Sequence, residues 1–449
     1  MESLWRKQEK NFPLRGKAAE ENGQEESRDY DVIVIGAGMA GVLIAYYLKE
    51  RGKRVLVLEA ETIASGQTER TTAKITSQHG LKYSTLIEKI GKKKARLYAK
   101  ANEEAILEYE RLIKKKKIEC EFARVPSYLY TMKQETVLRE EAKAAASLGI
   151  DAEFTTETEL PFVPEGAVCF HGQAQFSPLK FLRAIACELE IKEHTMAEAV
   201  YGRRVITEKG IFTAEKIVIA AHYPFRNVPG FYFLRQHQER SYVIALSGCP
   251  SIKGMYYGID VDGISLRQAD DLLLLGGAGH RTGEEKRCGA YDTLLEIARY
   301  YFPHCKEEAR WSAQDCMPHD GVPLIGRYSV LTPRLYVATG FQKWGMTSSM
   351  AAALLLRDEL CGEKSPYRRL FSPQRLYVSA GIANLIKDVG VSIKGLARGL
   401  FCRPRCPHMG CELEWNPQER SWDCPCHGSR FDANGRRLDN PSTRDITHW

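Results

Sequence analysis

Asp31-Val32-Ile33-Val34-Ile35-Gly36-Ala37-Gly38-Met39-Ala40-Gly41 is the stretch that decides the fold. Its first five residues form a short apolar, largely β-branched run, as a buried parallel strand requires. The glycines follow at once, and a helical pattern runs from about Met39 to Arg51. A second strand, Arg54 to Leu58, ends at Glu59. The order strand, glycine turn, helix, strand is the context in which this motif binds a dinucleotide. Gly36 permits the tight turn, Gly38 lets the backbone approach a pyrophosphate, and Gly41 lets helix and sheet pack closely. Ala37, Met39 and Ala40 complete the turn and the helix N-terminus, which favours phosphate. Glu59, 23 residues after Gly36 and followed by Ala60, suits a ribose hydroxyl.

The next stretch chooses between dinucleotides. Residues 62–78 are rich in small and hydroxyl side chains. This loop resembles that of the D-amino-acid-oxidase-like flavoproteins, where it runs along FAD toward the isoalloxazine ring. The resemblance makes Ser65, Gly66, Arg70, Thr71, Thr72 and Ala73 cofactor contacts. The pattern returns late in the chain. Asp320-Gly321-Val322-Pro323-Leu324-Ile325-Gly326 is similar to a segment of the same family, and Lys216–Ala221 fits a returning strand. Leu335–Ala338 then leads through Gly340 and Gly345-Met346-Thr347 into an Ala/Leu-rich helix. By resemblance that helix N-terminus faces the flavin, where its dipole stabilises negative charge on the reduced ring.

The expected architecture is α/β. It comprises an FAD-binding Rossmann-type domain with an inserted antiparallel-sheet substrate domain, plus a small all-β C-terminal domain. The FAD part is assigned to 31–119, 164–231 and 311–362, and the substrate part to 120–163 and 232–310. In such enzymes the flavin carries most of the chemistry. Lys74, His79, Lys343 and Trp344 are near-flavin candidates by motif position, with His222 and His237 behind them; for all of these a structural or cofactor-positioning role competes with acid–base work.

The C-terminal tail carries the second signal. Cys406 and His408 form C-x-H, and after fifteen intervening residues Cys424 and His427 form C-x-x-H. Two Cys on one iron and two His on the other is the ligand set of a Rieske [2Fe–2S] centre. Short Cys/His spacings also hold zinc. The loops Cys-Pro-His-Met-Gly-Cys and Cys-Pro-Cys-His-Gly-Ser resemble those of Rieske proteins of the respiratory and photosynthetic cytochrome complexes. That resemblance implies a disulfide between Cys411 and Cys426, and a hydrogen bond from Ser429 to the cluster. Phe431 stands where the family has a Tyr donor, and its loss lowers the potential. The strands that normally precede the first loop are shortened, so the cluster is expected to lean on the FAD domain and to be more exposed.

The chain has 449 residues, 44% hydrophobic and 27% charged, which is ordinary for a globular protein of two or three domains. The net charge of +7 is spread along the chain, giving no nucleic-acid footprint. The Lys114–Lys117 run closes a helix whose apolar positions include Leu97, Ala101, Ala105, Tyr109 and Leu112. Residues 1–30 read as a polar extension without a secretory core, and no run is long enough to span a bilayer. Eight of the thirteen Cys are scattered between Cys120 and Cys361 and read as reduced thiols. Cys402 has no assigned role. The expected location is cytoplasmic. Residues 363–400 read as a linker, in which Ile382–Leu400 offers a weak amphipathic helix for packing or for peripheral membrane contact.

The whole chain resembles the bacterial fusion of a glycine/D-amino-acid-oxidase-like flavoprotein with a C-terminal Rieske domain, at 401–449. It implies an amine or amino-acid-type substrate, FAD, a [2Fe–2S] cluster and an external electron acceptor or donor. Other readings are a non-catalytic flavin/iron–sulfur redox sensor and a flavoprotein oxidase with a structural zinc-binding tail. Aromatic-ring hydroxylation is disfavoured, because no domain with a mononuclear iron site of two His and a carboxylate follows.

Overall fold

The computed structural model describes residues 2–9, 29–284, 289–375, 377–401 and 404–447. Residues 10–28 of the expected polar extension and Cys402 lie outside the described residues.

The opening strand, Tyr30–Ile35, is central to the first sheet. Val55–Leu58 and Gly210–Ile219 flank it, both parallel. Glu190–Lys192 and Leu335–Thr339 extend the parallel set, and Leu324–Arg327 adds an antiparallel edge. Between the strands Tyr30–Ile35 and Val55–Leu58 runs the helix Met39–Lys49. Its residues Val42 to Ala45 are fully buried in one core with Met350, Ala352, Leu355 and Leu356 of the helix Gly345–Leu360. Each large apolar side chain buried here contributes about 1.5–3 kcal/mol against exposure, which fixes both helices on one face of the sheet.

The second sheet has the spatial order Lys306–Pro318, Gln236–Ser247, Leu272–Arg281, Ser265–Ala269, Met255–Gly258, Ser127–Thr131, Gly166–Phe170, Ala152–Thr155. Only the contact of Met255–Gly258 with Ser127–Thr131 is parallel. Two expected boundaries shift. Gly166–Phe170 and Lys306–Pro318 both pair in this second sheet, not the first. A continuous apolar run such as Gly166–Phe170 fits either sheet, so sequence pattern alone could not assign it.

The segment read as a linker, 363–400, includes the helix expected from Ile382. It holds a short helix, Arg368–Phe371, and a long one, Val378–Gly399. The start of the chain is not wholly polar tail either. Leu4–Gln8 is helical, with Trp5 buried and its Nε1 donating to the Thr71 carbonyl at 2.7 Å. The tail adds a four-stranded antiparallel sheet of three-residue strands, Glu414–Asn416, Ser421–Asp423, Arg430–Asp432 and Arg437–Asp439. Gly435, at φ +81°, supplies the turn of the last hairpin.

Candidate functional site

A cavity of about 710 Å³ opens at the C-terminal end of the parallel strands. That is the place where open parallel sheets take ligands. Gly36, Gly38, Met39, Ala40, Glu59 and Ala60 line it, as do Ser65, Gly66, Arg70, Thr71 and Thr72. Gly36 sits at φ +105°, and a Cβ on Gly41 would stand 1.8 Å from the Gly36 carbonyl oxygen. The turn is therefore a cradle that only glycine can form. Glu59 accepts from the Ala37 N–H at 2.6 Å and the Glu61 N–H at 2.9 Å, which aims its carboxylate at the turn. The volume, the glycine turn and the acid fit a dinucleotide.

At the far end lie Lys74, Gly340, Lys343, Trp344, Gly345 and Met346. Lys343 Nζ is 3.0 Å from the Asp315 carboxylate and 3.5 Å from that of Glu239, and donates to Ser241 Oγ at 2.8 Å. Burial disfavours its charge, but the two carboxylates outweigh burial and raise its pKa. Lys74 is different. Its Nζ donates to the Tyr256 carbonyl at 2.8 Å and to Ser265 Oγ at 2.6 Å. Burial, with Arg267 nearby, brings its pKa down to about 7. His79 does not reach the cavity. Its Nδ1 meets Tyr98 Oη at 2.7 Å, and its ring stacks behind Trp344 at 4.9 Å. It supports the Trp344 ring. Ala73 and Thr347 are also buried behind the wall, Ala73 through its carbonyl to Arg267 and Thr347 through its hydroxyl to the Thr76 carbonyl.

The tail brings Cys406, His408, Cys424 and His427 to the tips of two loops. His408 and His427 stand edge to face, with ring centroids 5.1 Å apart. His408 Nε2 lies 2.7 Å from the Asn227 amide oxygen, an acceptor, so that nitrogen carries the proton and Nδ1 a lone pair. That Nδ1 is buried without a partner, and so are both ring nitrogens of His427. Burial, then the neighbouring His427, pushes His408 down to about 4, and burial lowers His427. Both rings are neutral, the state a metal ligand needs. The Ser429 hydroxyl oxygen accepts from the Ser442 N–H at 3.0 Å and lies near the Cys406 thiol. Two converging thiols and two orphaned imidazole nitrogens fit a cluster with mixed ligands. Exposure is confined to His408, which is half-buried; Cys406, Cys424 and His427 are at most 2% exposed. Cys411 and Cys426 are free thiols in this structure, with the sulfurs of Cys411, Cys424 and Cys426 within 4.8 Å of one another.

A family model described as FAD dependent oxidoreductase (DAO) matches residues 31–359. The chain belongs to this family of FAD-dependent oxidoreductases. A Rieske [2Fe-2S] domain model matches residues 400–449. The Bacillus subtilis (strain 168) chain named Rieske 2Fe-2S iron-sulfur protein YhfW is 33% identical over 478 residues, 94% of each chain. The cytochrome b6-f complex iron-sulfur subunit 2 of Trichormus variabilis is 46% identical over 115 residues, 25% of this chain and 64% of that subunit. The crystal structure of glycine oxidase from Geobacillus kaustophilus superposes with a TM-score of 0.63 at 21% identity, covering 78% of this chain and 99% of that one, a likeness of fold. The protein is an FAD-dependent oxidoreductase that carries a Rieske [2Fe–2S] domain. Among its described residues no helix is long and apolar enough to cross a membrane.

Sequence reasoning missed how the two halves of this oxidoreductase meet. Arg437 to Asn440, Ser442 and Thr443 of the tail line the same cavity as the glycine turn. Asn440 Nδ2 donates to the carbonyls of Ala221 and Tyr223, each at 2.7 Å. Gln238 Nε2 donates to the His427 carbonyl at 2.8 Å, and Gln314 Nε2 to the Gly428 carbonyl at 2.7 Å. Arg240, fully buried, pairs with Glu419 of the tail, which Arg430 also holds. The signal was present: Gln236, Gln238 and Arg240 alternate along the strand Gln236–Ser247, and all three are buried. Alternating polar residues read as a solvent face, whereas here Gln238 and Arg240 face the tail domain and Gln236 donates to Thr339 Oγ1 at 3.3 Å. The cavity residues Glu239 and Asp315 were missed as well; they are direct partners across paired strands.

Proposed function

We propose that the protein oxidises an amine or amino-acid-type substrate at FAD and passes the electrons through the Rieske cluster to an external acceptor. The observation that carries this reading is the shared wall: Asp439 and Asn440 of the tail line the same cavity as Gly36 and Lys343. Bound FAD supplies a two-electron acceptor, and a bound cluster supplies one-electron transfer. The residues of the chain supply the rest. Gly36, Gly38, Met39 and Ala40 hold the pyrophosphate, with Ala37 and Gly41 shaping the turn, and Glu59 holds the ribose. Ser65 to Thr72 and Gly340 to Met346 enclose the ring system. Two carboxylates, Glu239 and Asp315, face the Lys343 ammonium, and burial strips much of the charge from Lys74, so the far wall leans negative and favours a cationic amine. Trp344 and Tyr257, 5.4 Å apart edge to face, keep that end dry. Cys406 and Cys424 would hold one iron and His408 and His427 the other, and the thiols of Cys411 and Cys426, on oxidation to a disulfide, would clamp the loops. The glycine oxidase that shares the fold acts, by its name, on an amine substrate of this kind.

Anaerobic mixing with a panel of amines and amino acids tests the reading. A true substrate bleaches the flavin and then produces the EPR signal of the reduced cluster, without added reductant. An intact cluster alongside a flavin that no amine or amino acid reduces would overturn it. Flavin bleaching with a permanently oxidised cluster would remove the transfer step alone.

A further inference from the structure

Away from the cavity, the fold gathers His237, His319 and Asp388 from three elements. His237 lies on the strand Gln236–Ser247, His319 in the turn after Lys306–Pro318, and Asp388 on the helix Val378–Gly399. A ring nitrogen of each His and a carboxylate oxygen of Asp388 lie within 4.8 Å of one another. His237 Nδ1 is 2.9 Å, and His319 Nδ1 3.1 Å, from the same oxygen, Asp388 Oδ2.

His319 cannot be explained as part of an ion pair. Its Nε2 lies 3.2 Å from the Leu234 carbonyl oxygen. A carbonyl only accepts, so Nε2 carries the proton and Nδ1 of the neutral ring carries a lone pair. That lone pair is out of line for a hydrogen bond to Asp388 and has no partner, in a side chain only 8% exposed. A lone pair beside a carboxylate oxygen is repulsive unless a proton or a metal cation lies between them, and the misalignment leaves a proton on Nδ1 no hydrogen bond to Asp388. Arg281 and His237 already complete an ordinary pairing for Asp388. They leave the buried His319 nitrogen without a role.

The spacings suit such a cation. Donor atoms held about 2.1 Å from one ion at right angles stand about 3.0 Å apart. The outer contacts have the form that metal-bound imidazoles use, with the second ring nitrogen on a carbonyl or carboxylate. For His319 this partner is the Leu234 carbonyl, and for His237 it is the Glu239 carboxylate at 3.4 Å. Counted with the cavity wall beside it, Asp388, Glu239 and Asp315 against Arg281 and Lys343 leave one net negative charge over the two neighbouring places.

We propose that His237, His319 and Asp388 form a mononuclear site for a divalent first-row transition-metal ion. Two imidazoles and one carboxylate fill one side of the ion and leave the remaining positions to water or a small ligand. The site is tied to the cluster loop. Arg281, which holds the other oxygen of Asp388, donates to the carbonyls of Pro425 at 2.9 Å and Cys426 at 3.2 Å. Gln238, next to His237, holds the His427 carbonyl. An ion bound here therefore sits within the electrostatic reach of the cluster.

The test uses the full-length protein with FAD and cluster in place. It is washed with a chelator, dialysed against zinc(II), desalted and analysed for zinc and iron. The expected result is about one zinc per chain in addition to the cluster iron. His319→Gln and Asp388→Asn are expected to lose that zinc while keeping iron and the EPR signal of the reduced cluster. X-ray absorption at the zinc edge of the wild-type protein decides the matter even where a variant fails to fold. A shell of nitrogen and oxygen at about 2.0–2.2 Å with imidazole scattering supports the site, and sulfur at about 2.3 Å overturns it. Failure of the wild type to retain zinc, or equal retention by both folded variants, also overturns it.

Discussion

The Lys343 ammonium sits 3.0 Å from the Asp315 carboxylate at the cavity wall, with Glu239 3.5 Å away on the paired strand. Burial raises the pKa of Glu239, but His237 and Lys343 outweigh it and bring that carboxyl down to about 2. A depressed carboxyl adds stability above its unfolded value of about 4.3, and that stability is lost as pH falls through the folded value. Lys343→Met removes the cation between two carboxylates. With the lysine side chain 24% exposed, the expected loss is about 1–2 kcal/mol at pH 7. Urea unfolding at pH 7 and pH 3 checks this: the gap between wild type and variant should narrow at the lower pH. A variant as stable as wild type at pH 7 would show that the pair contributes nothing to folding.

Lys74 gives a pH dependence of the same sign in a higher window. Its pKa is lowered to about 7, mainly by burial, against about 10.4 in the unfolded chain. Below pH 7 both states hold the proton and the cost of burying it is complete. Between about 7 and 10 the unfolded state binds more protons, so stability rises with pH. Lys74→Met removes that cost. The variant should gain stability relative to wild type near pH 6, and the gain should shrink as pH approaches 10. Thermal unfolding across that range reads it, and a pH-independent difference would place the Lys74 pKa in its ordinary range.

The sites were legible where function is written locally. Gly36 to Gly41 and the two Cys/His loops need particular residues at fixed short spacings, so one sequence reveals them. The shared cavity wall was not legible, because Asp439 and Glu59 come to line one cavity only after three sheets have assembled. The polar alternation of Gln236, Gln238 and Arg240 was visible, but a strand facing another domain has the same period as one facing water. Trp5 was hidden because a single turn of helix among charged residues has too few apolar positions to register. His237, His319 and Asp388 carry no spacing signal at all, since three separate elements supply them.

The glycine turn tolerates no side chain. A Cβ on Gly41 would lie 1.8 Å from the Gly36 carbonyl oxygen, so helix and strand must separate. Gly41→Ala is expected to cost at least about 1–3 kcal/mol and to yield protein without FAD. Gly390→Ala is the control, since nothing lies within 4 Å of a Cβ there and Gly390 is outside the cavity lining. The flavin-to-protein absorbance ratio after purification distinguishes them. Full FAD content in Gly41→Ala would mean that the turn can open without losing the cofactor.

The helix Val378–Gly399 places two glycines in opposite settings. At Gly395 an added Cβ would stand 2.6 Å from Cys426 Sγ and 3.6 Å from Cys411 Cβ, so the helix presses on both cluster loops there. At Gly390 nothing lies within 4 Å. Gly390→Ala should therefore stabilise the protein by up to about 1 kcal/mol, the ordinary helix gain, with cluster content unchanged. Gly395→Ala gains the same helix propensity but must push the Cys426 loop, and with it His427, out of place. Its iron content and its reduced-cluster EPR intensity are expected to fall well below those of Gly390→Ala. Equal iron in the two variants would show that the loops hold the cluster without the helix behind them, and that the contact at Gly395 only fills space.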